Sequence, residues 1–145
     1  MTAQDKTGLT KADYERLSEF RYLLRRFLEF SERAAEGTGL TAQQHQALLA
    51  IKGFAGRDYA TTGELADRLC SRHHSAVGLI DRLVEKELVK RRIGTDDRSQ
   101  VLIALTPVAE TMLDGLSAAH RDELERMATL LRDLLGHFGS GGTHD

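Results

Sequence analysis

The chain has 145 residues, of which 41% are hydrophobic, and it contains one proline and one cysteine. This composition predicts a mostly helical globular domain and excludes an intramolecular disulfide framework. No apolar run is long enough to cross a membrane, and residues 1–14 lack the apolar core of a signal peptide, so we expect a cytoplasmic protein without membrane partners. The net charge of −2 conceals an asymmetry, because residues 68–98 carry eight basic and five acidic side chains. A basic segment on an otherwise acidic chain is typical of a nucleic-acid contact.

The first predicted helix covers residues 9–33, where apolar residues recur at steps of three and four. Two further helices are predicted to begin at Thr41 and at Thr61. Gln44 lies three positions after Thr41, and Glu64 lies three positions after Thr61. This is the capping-box pattern, in which each side chain bonds the other residue's free backbone N–H.

A fourth helix is predicted from about residue 72 to residue 87, with one apolar face turned inward. Its core positions are Ala76, Leu79, Ile80 and Leu83. The periodicity then changes, and residues 90–93 and 101–105 predict two strands around the turn-rich sequence GTDDRS. Two helices followed by a hairpin are typical of a winged helix-turn-helix, whose second helix enters the DNA major groove.

The last helix is predicted to begin after Thr106, a good N-cap, because Pro107 is tolerated at the first helical position. It extends to about residue 138, with its apolar stripe broken near His120. The long helices at both termini carry more apolar surface than one small module can cover. We therefore expect them to pair with a second copy of the chain in a two-fold homodimer.

The predicted fold class is mainly α with a small β-wing, in a single domain. Its parts are a winged helix-turn-helix over residues 40–106, dimerisation helices at 9–36 and 107–138, and a flexible tail at 139–145. Such a module predicts double-stranded DNA as a partner, because a two-fold dimer presents one recognition helix to each half of a palindromic site.

Three stretches of the chain resemble the MarR family of bacterial transcriptional regulators. They are LTAQQHQALLAI in the second helix, ELADRL followed by LIDRLVEKELVKR in the third and fourth, and DDRSQVLIALTPVAE in the wing and last helix. The resemblance extends from about Leu9 to Phe138. It implies a homodimer joined by the terminal helices, which represses nearby genes until a small molecule or an oxidant releases it. No cofactor is implied.

The fourth predicted helix is the recognition helix, and the side opposite its core positions is a polar face. This face consists of His73, His74, Ser75, Val77, Gly78, Asp81 and Arg82. Histidine and serine form hydrogen bonds with base edges, valine contacts a thymine methyl group, and glycine allows close approach of the backbone. Arg72, Arg82, Arg91 and Arg98 are the predicted phosphate and minor-groove contacts, and Thr61 and Thr62 offer hydroxyl and N–H groups to phosphate.

Two positions depart from the family pattern. Where the family commonly has a wing-tip arginine, this chain has Ser99, so the wing contact is assigned to Arg98. The serine that caps the recognition helix is displaced by one position to Ser71, with Arg72 in its usual place. Asp81 resembles the family aspartate that orients a wing arginine.

The resemblance also implies an effector pocket, with apolar walls suited to a small aromatic or phenolic ligand. Its candidate residues are Phe20, Leu24, Phe27, His45 and Leu48. No metal site is predicted, because His45 and His120 do not supply the three or four ligands that zinc requires.

The predicted function is a homodimeric repressor released by a small aromatic or phenolic ligand. One alternative is a regulator that senses oxidants through Cys70. The prediction for Cys70 itself is a small thiol that packs, buried or semi-buried, as a hydrophobic side chain. The other alternative is a winged-helix protein-interaction module that does not bind DNA. An enzyme is not predicted, because the sequence contains no Gly-rich phosphate loop, metal-ligand cluster or nucleophile–base pair.

Overall fold

The computed structural model describes residues 8–139, with side chains to residue 136. It contains helices α1 (Lys11–Gly37), α2 (Ala42–Lys52), α3 (Thr62–Arg68), α4 (His73–Glu85) and α5 (Pro107–Gly139), and strands β1 (Tyr59–Ala60), β2 (Val89–Ile93) and β3 (Val101–Leu105). Every predicted element is present, and β1 is an addition. The predicted tail, apart from Gly139, and residues 1–7 lie outside the described part. Within residues 8–139, no helix has both the length and the apolar character needed to cross a membrane.

Local capping patterns begin three of the helices. At Thr41 and at Thr61 both hydrogen bonds of the predicted capping box are present. Thr106 accepts a 3.3 Å hydrogen bond at its hydroxyl from the N–H of Ala109, and Pro107 is the first residue of α5. The helix starts predicted from these threonines are therefore confirmed.

The chain forms two compact units, residues 32–119 and residues 8–31 with 120–139. The 32–119 unit contains the winged module. Its three-stranded antiparallel sheet has the order β1-β3-β2, with Ile103 opposite Ala60 on one side and opposite Arg91 on the other. The core of this unit is a continuous apolar cluster around the fully buried residues Leu48, Ile51, Leu65, Ile80, Leu83 and Ile103.

The unit of residues 8–31 and 120–139 consists of the N-terminal part of α1 and the C-terminal part of α5. His120 is buried there, with its Nε2 2.8 Å from the hydroxyl of Ser31. The rings of Phe27 and Phe30 meet the imidazole edge-on, at centroid distances of 5.8 and 5.3 Å. The helix α5 is continuous through His120, and the polar ring that interrupts its apolar stripe is accommodated by aromatic edges and a hydroxyl.

Cys70 lies in the turn between α3 and α4, and its side chain is exposed. The prediction of a buried or semi-buried thiol is therefore wrong. The backbone explains the exposure, because Cys70 takes a left-handed conformation with φ of 51° at the C-terminal end of α3. The N–H groups of Cys70 and Ser71 donate to the carbonyls of Asp67 and Ala66, the hydrogen bonds that close a helix end at such a residue.

Candidate nucleic-acid interface

The α4 helix divides into the two faces that its sequence predicts. Ala76, Leu79, Ile80 and Leu83 are buried in the core of the winged module. The side chains of His73, His74, Ser75, Val77, Asp81 and Arg82 are exposed, and Gly78 is half-buried. The structure therefore brings all seven predicted residues of the polar face onto one surface.

The start of α4 leaves backbone donors available. Arg72 is the N-cap residue, in an extended conformation, and no side chain makes a capping hydrogen bond at this end. The prediction that Ser71 caps the helix is wrong, because its hydroxyl lies 3.5 Å from the carbonyl oxygen of Arg72 instead. The first N–H groups of a helix point along its axis and attract anions, so this exposed end favours a phosphate group.

Asp81 forms an ion pair with Arg91 of β2, in which Nη2 of the guanidinium donates to the carboxylate. The aspartate therefore orients an arginine of the wing strand. It does not hold Arg82 or Arg98, the two partners considered from the sequence. The pair neutralises Asp81, both of its members remain exposed to solvent, and Glu85 is a second exposed carboxylate at the end of α4.

The wing tip is a compact loop from Gly94 to Gln100. The N–H of Gly94 donates to the carbonyl of Gln100 at 2.9 Å, and Asp97 accepts hydrogen bonds from the hydroxyl and N–H of Ser99 at 2.6 and 2.9 Å. The Ser99 hydroxyl, followed by its amide, holds the pKa of Asp97 below its usual value. Arg98 is exposed between these two residues, at the position predicted for the wing contact.

Thr61 and Thr62 are half-buried at the start of α3. The hydroxyl of Thr61 accepts a 3.2 Å bond from the N–H of Glu64 and keeps its own proton for a further acceptor. Glu64 also pairs with Arg57, which precedes β1. The sequence does not reveal the Arg57 contact, because seven positions in the chain separate two residues that only the turn into β1 brings together.

The predicted pocket residues fall into two groups. Phe20, Leu24 and Phe27 line a cavity of about 220 Å³ within the unit of residues 8–31 and 120–139, together with Leu124, Met127 and Leu131 of α5. His45 and Leu48 are buried in α2, in the winged module. Among the described residues, no group of three or more His, Cys, Asp or Glu side chains is arranged to hold a metal ion.

Residues 38–99, which include the helix-turn-helix and most of the wing, match the profile of the MarR family. This match covers less than half of the chain. None of the curated proteins matches it.

Solved MarR-type structures share the fold of this chain. AbsC, a MarR family transcriptional regulator from Streptomyces coelicolor, is 18% identical with a TM-score of 0.68, and the match covers 91% of this chain and 95% of AbsC. A probable transcriptional regulator from Pseudomonas aeruginosa is 25% identical with a TM-score of 0.58, over 82% and 92% of the two chains. A mutant of MepR from Staphylococcus aureus, bound to an oligodeoxyribonucleotide, is 19% identical with a TM-score of 0.64, over 86% and 97%. In this chain, α4 is the second helix of the helix-turn-helix, and residues 94–100 form the tip of the wing.

Proposed function

We propose that this protein is a MarR-type, sequence-specific DNA-binding regulator, a homodimeric repressor that binds a palindromic operator. The observation that carries the proposal is the exposed polar face of α4 beside the arginine-bearing wing. Asp81 on this face is already paired with Arg91, and the other carboxylate of α4, Glu85, lies at the C-terminal end of the helix, away from its start. A phosphate backbone approaching α4 therefore meets uncompensated charge on Arg72 and Arg82 and an uncapped helix start.

Base reading is assigned to the first two turns of α4. His73, His74 and Ser75 are exposed there and carry hydrogen-bonding groups, and Val77 is 39% exposed one turn further on. Imidazole and hydroxyl groups bond base edges, and a branched apolar side chain contacts a thymine methyl group. Arg98 at the wing tip is assigned to the minor groove, and Thr61 and Thr62 are assigned to phosphate.

Enrichment of duplexes from a random pool by the purified protein tests this function. We expect a palindromic site whose half-sites lie about ten base pairs apart, and an affinity that falls steeply as salt rises. His74→Ala should weaken the enriched site about tenfold and a scrambled duplex much less, because a base contact contributes roughly 1–3 kcal/mol of discrimination. Thr111→Ala, an exposed substitution on α5, is the control. Failure to enrich any duplex at low salt would contradict the proposal.

The dimer is supported by the apolar surface of the unit formed by residues 8–31 and 120–139. Among its described side chains only Leu23, His120 and Met127 are buried. Nine large apolar side chains are at least about one-third exposed: Leu9, Tyr14, Leu17, Tyr22, Leu24, Leu28, Leu124, Leu130 and Leu135. Monomeric proteins rarely leave such a surface in water, and a second copy of the same helices matches it in length and chemistry.

Sedimentation at micromolar concentration tests the dimer. The wild-type chain should sediment at twice its mass of 16.1 kDa. Replacing Leu28 and Leu130 together with glutamate should give a monomer, because charge would be buried in the apolar contact. Leu49→Glu changes an equally exposed leucine on α2 and should leave the dimer intact. A wild-type chain that sediments as a monomer would refute the proposed assembly.

The effector is proposed to bind in the cavity lined by Phe20, Leu24 and Phe27. Its lining side chains are all apolar, and its volume of about 220 Å³ suits a molecule of one or two aromatic rings. We expect 2-naphthol to raise the melting temperature of the protein and to release the enriched duplex. Leu131→Trp should fill the cavity and abolish both effects without weakening DNA binding. An unchanged response of this variant would place the ligand elsewhere.

A further inference from the structure

Three arginines and two aromatic rings alternate along one side of the winged module. The Cζ atom of Arg57 lies 3.9 Å from the ring centroid of Phe54 and 5.0 Å from that of Tyr59. Arg68 of α3 lies over the Phe54 ring at 5.6 Å, and Arg92 of β2 lies over the Tyr59 ring at 5.1 Å. We call these five residues the arginine–aromatic row.

The central and terminal arginines of the row differ in their surroundings. Arg57 pairs with Glu64, and its side chain is only 25% exposed. Arg68 and Arg92 are exposed, and no carboxylate among residues 8–136 lies within ion-pairing distance of either. Three guanidinium groups thus accompany one carboxylate. The row therefore carries excess positive charge, and its two ends can accept an anionic partner.

The stacked geometry prepares the terminal arginines for phosphate. A guanidinium group that lies over a ring keeps the N–H donors in its own plane free. These donors match the oxygens of a phosphate group, with which they form charge-assisted, often bidentate hydrogen bonds. Because Tyr59 and Phe54 already restrict the side chains, binding costs less conformational entropy.

The row is linked through Glu64 to the proposed phosphate contact at Thr61, and it lies on the opposite face of the sheet from α4. Glu64, the partner of Arg57, accepts a 3.0 Å hydrogen bond from the N–H of Thr61, at the phosphate-facing start of α3. Arg92 pairs in register with Leu102, and its neighbour Arg91 pairs with Ile103, so their side chains leave opposite faces of the sheet. Since Arg91 points to α4, the row lies on the other side of the wing.

We infer that Arg68 and Arg92 bind the phosphate backbone of duplex DNA outside the segment that α4 reads. The inference rests on the proposed function, and it extends the footprint of each module beyond its half-site. The contacts are independent of sequence, because phosphate carries no base identity. They increase affinity for a site embedded in longer DNA.

Two duplexes test the inference. One contains only the site enriched by the wild-type protein, and the other carries the same site with ten random base pairs added at each end. For the double variant Arg68→Gln with Arg92→Gln we expect about tenfold weaker binding to the long duplex and unchanged binding to the short one. On the long duplex the slope of log affinity against log salt should decrease by about 0.9 for each phosphate that the variant no longer neutralises.

Two control variants separate this contact from a general effect of charge. Arg121→Gln removes an arginine that is 71% exposed on α5 and should act equally on both duplexes. Tyr59→Leu keeps the charge of Arg92 but removes the ring beneath it, and should weaken the long duplex two- to fourfold. Circular dichroism and the melting temperature establish that each variant is folded.

The outcomes distinguish the inference from the function on which it rests. A wild-type protein that binds no duplex refutes both. A wild-type protein that binds, with a double variant equal to it on the long duplex, refutes the inference alone. An equal weakening on the short and long duplexes also refutes it, because the arginines would then act within the half-site or through net charge.

Discussion

Replacing Gly94 with alanine is expected to open the wing tip and to weaken DNA binding at least tenfold. A Cβ atom at this position would lie 2.6 Å from the carbonyl oxygen of Asp97 and 3.4 Å from the Cβ of Gln100. The first contact is shorter than any that real side chains make, and its partner is backbone, which cannot rotate away. The loop must therefore shift, which moves Arg98 from the position proposed for the minor groove.

The stability of the Gly94→Ala variant should fall by about 1–3 kcal/mol, the usual cost of forcing extra volume into a packed site. Urea unfolding measures this decrease, and titration with the enriched duplex measures the affinity. Gly115→Ala is the matched control, because a Cβ on Gly115 in α5 meets nothing within 4 Å. A Gly94→Ala variant with wild-type stability would show that the loop adjusts without cost and would remove the basis of the prediction.

Gly78→Ala is expected to stabilise the free protein while weakening its binding to DNA. Glycine inside a helix is less favourable than alanine by about 0.5–1 kcal/mol. Nothing within the fold requires glycine at position 78, because a Cβ there would make only an ordinary 3.5 Å contact with Nη1 of Arg82, the flexible end of a side chain. Because the fold itself has room for a side chain at position 78, we attribute the glycine to a close approach of the DNA to the backbone of α4.

A methyl group on Gly78 would enter the space assigned to the DNA, and a steric clash of this kind costs about 1–3 kcal/mol. We therefore expect an affinity about tenfold or more below that of the wild type, together with a higher urea midpoint. Gly115→Ala, at a helical glycine of α5 where an added Cβ meets nothing within 4 Å, should raise the urea midpoint in the same way and leave the affinity unchanged. If Gly78→Ala bound the enriched duplex as tightly as the wild type, α4 would not lie close to the DNA at this residue.

The elements that depend on neighbours in the chain were predictable from the sequence. Thr41 and Thr61 begin helices because their partners lie three residues away, and a capping box needs nothing else. The core face of α4 follows from the 3.6-residue period of the helix, and the hairpin follows from two apolar runs around a turn-rich tip. The fold class and the polar face of α4 therefore required no knowledge of the tertiary structure.

The contacts that depend on residues distant in the chain were decided only by the tertiary structure. Strand β1 has two residues, too few for an alternating pattern, and it exists because β3 offers Ala104 and Ile103 as partners. Asp81 pairs with Arg91 because sheet pairing fixes which side chain of β2 points toward α4.

The exposure of Cys70 and the arginine–aromatic row were likewise decided by the tertiary structure. The turn that joins α3 to α4 requires a left-handed residue at position 70, which directs the thiol into solvent. The row gathers residues from α3, from β1, from β2 and from the segment between α2 and β1, which no spacing in the sequence connects. Local periodicity determines which residues share a face of one element, whereas the partner across an interface is determined by how the elements pack.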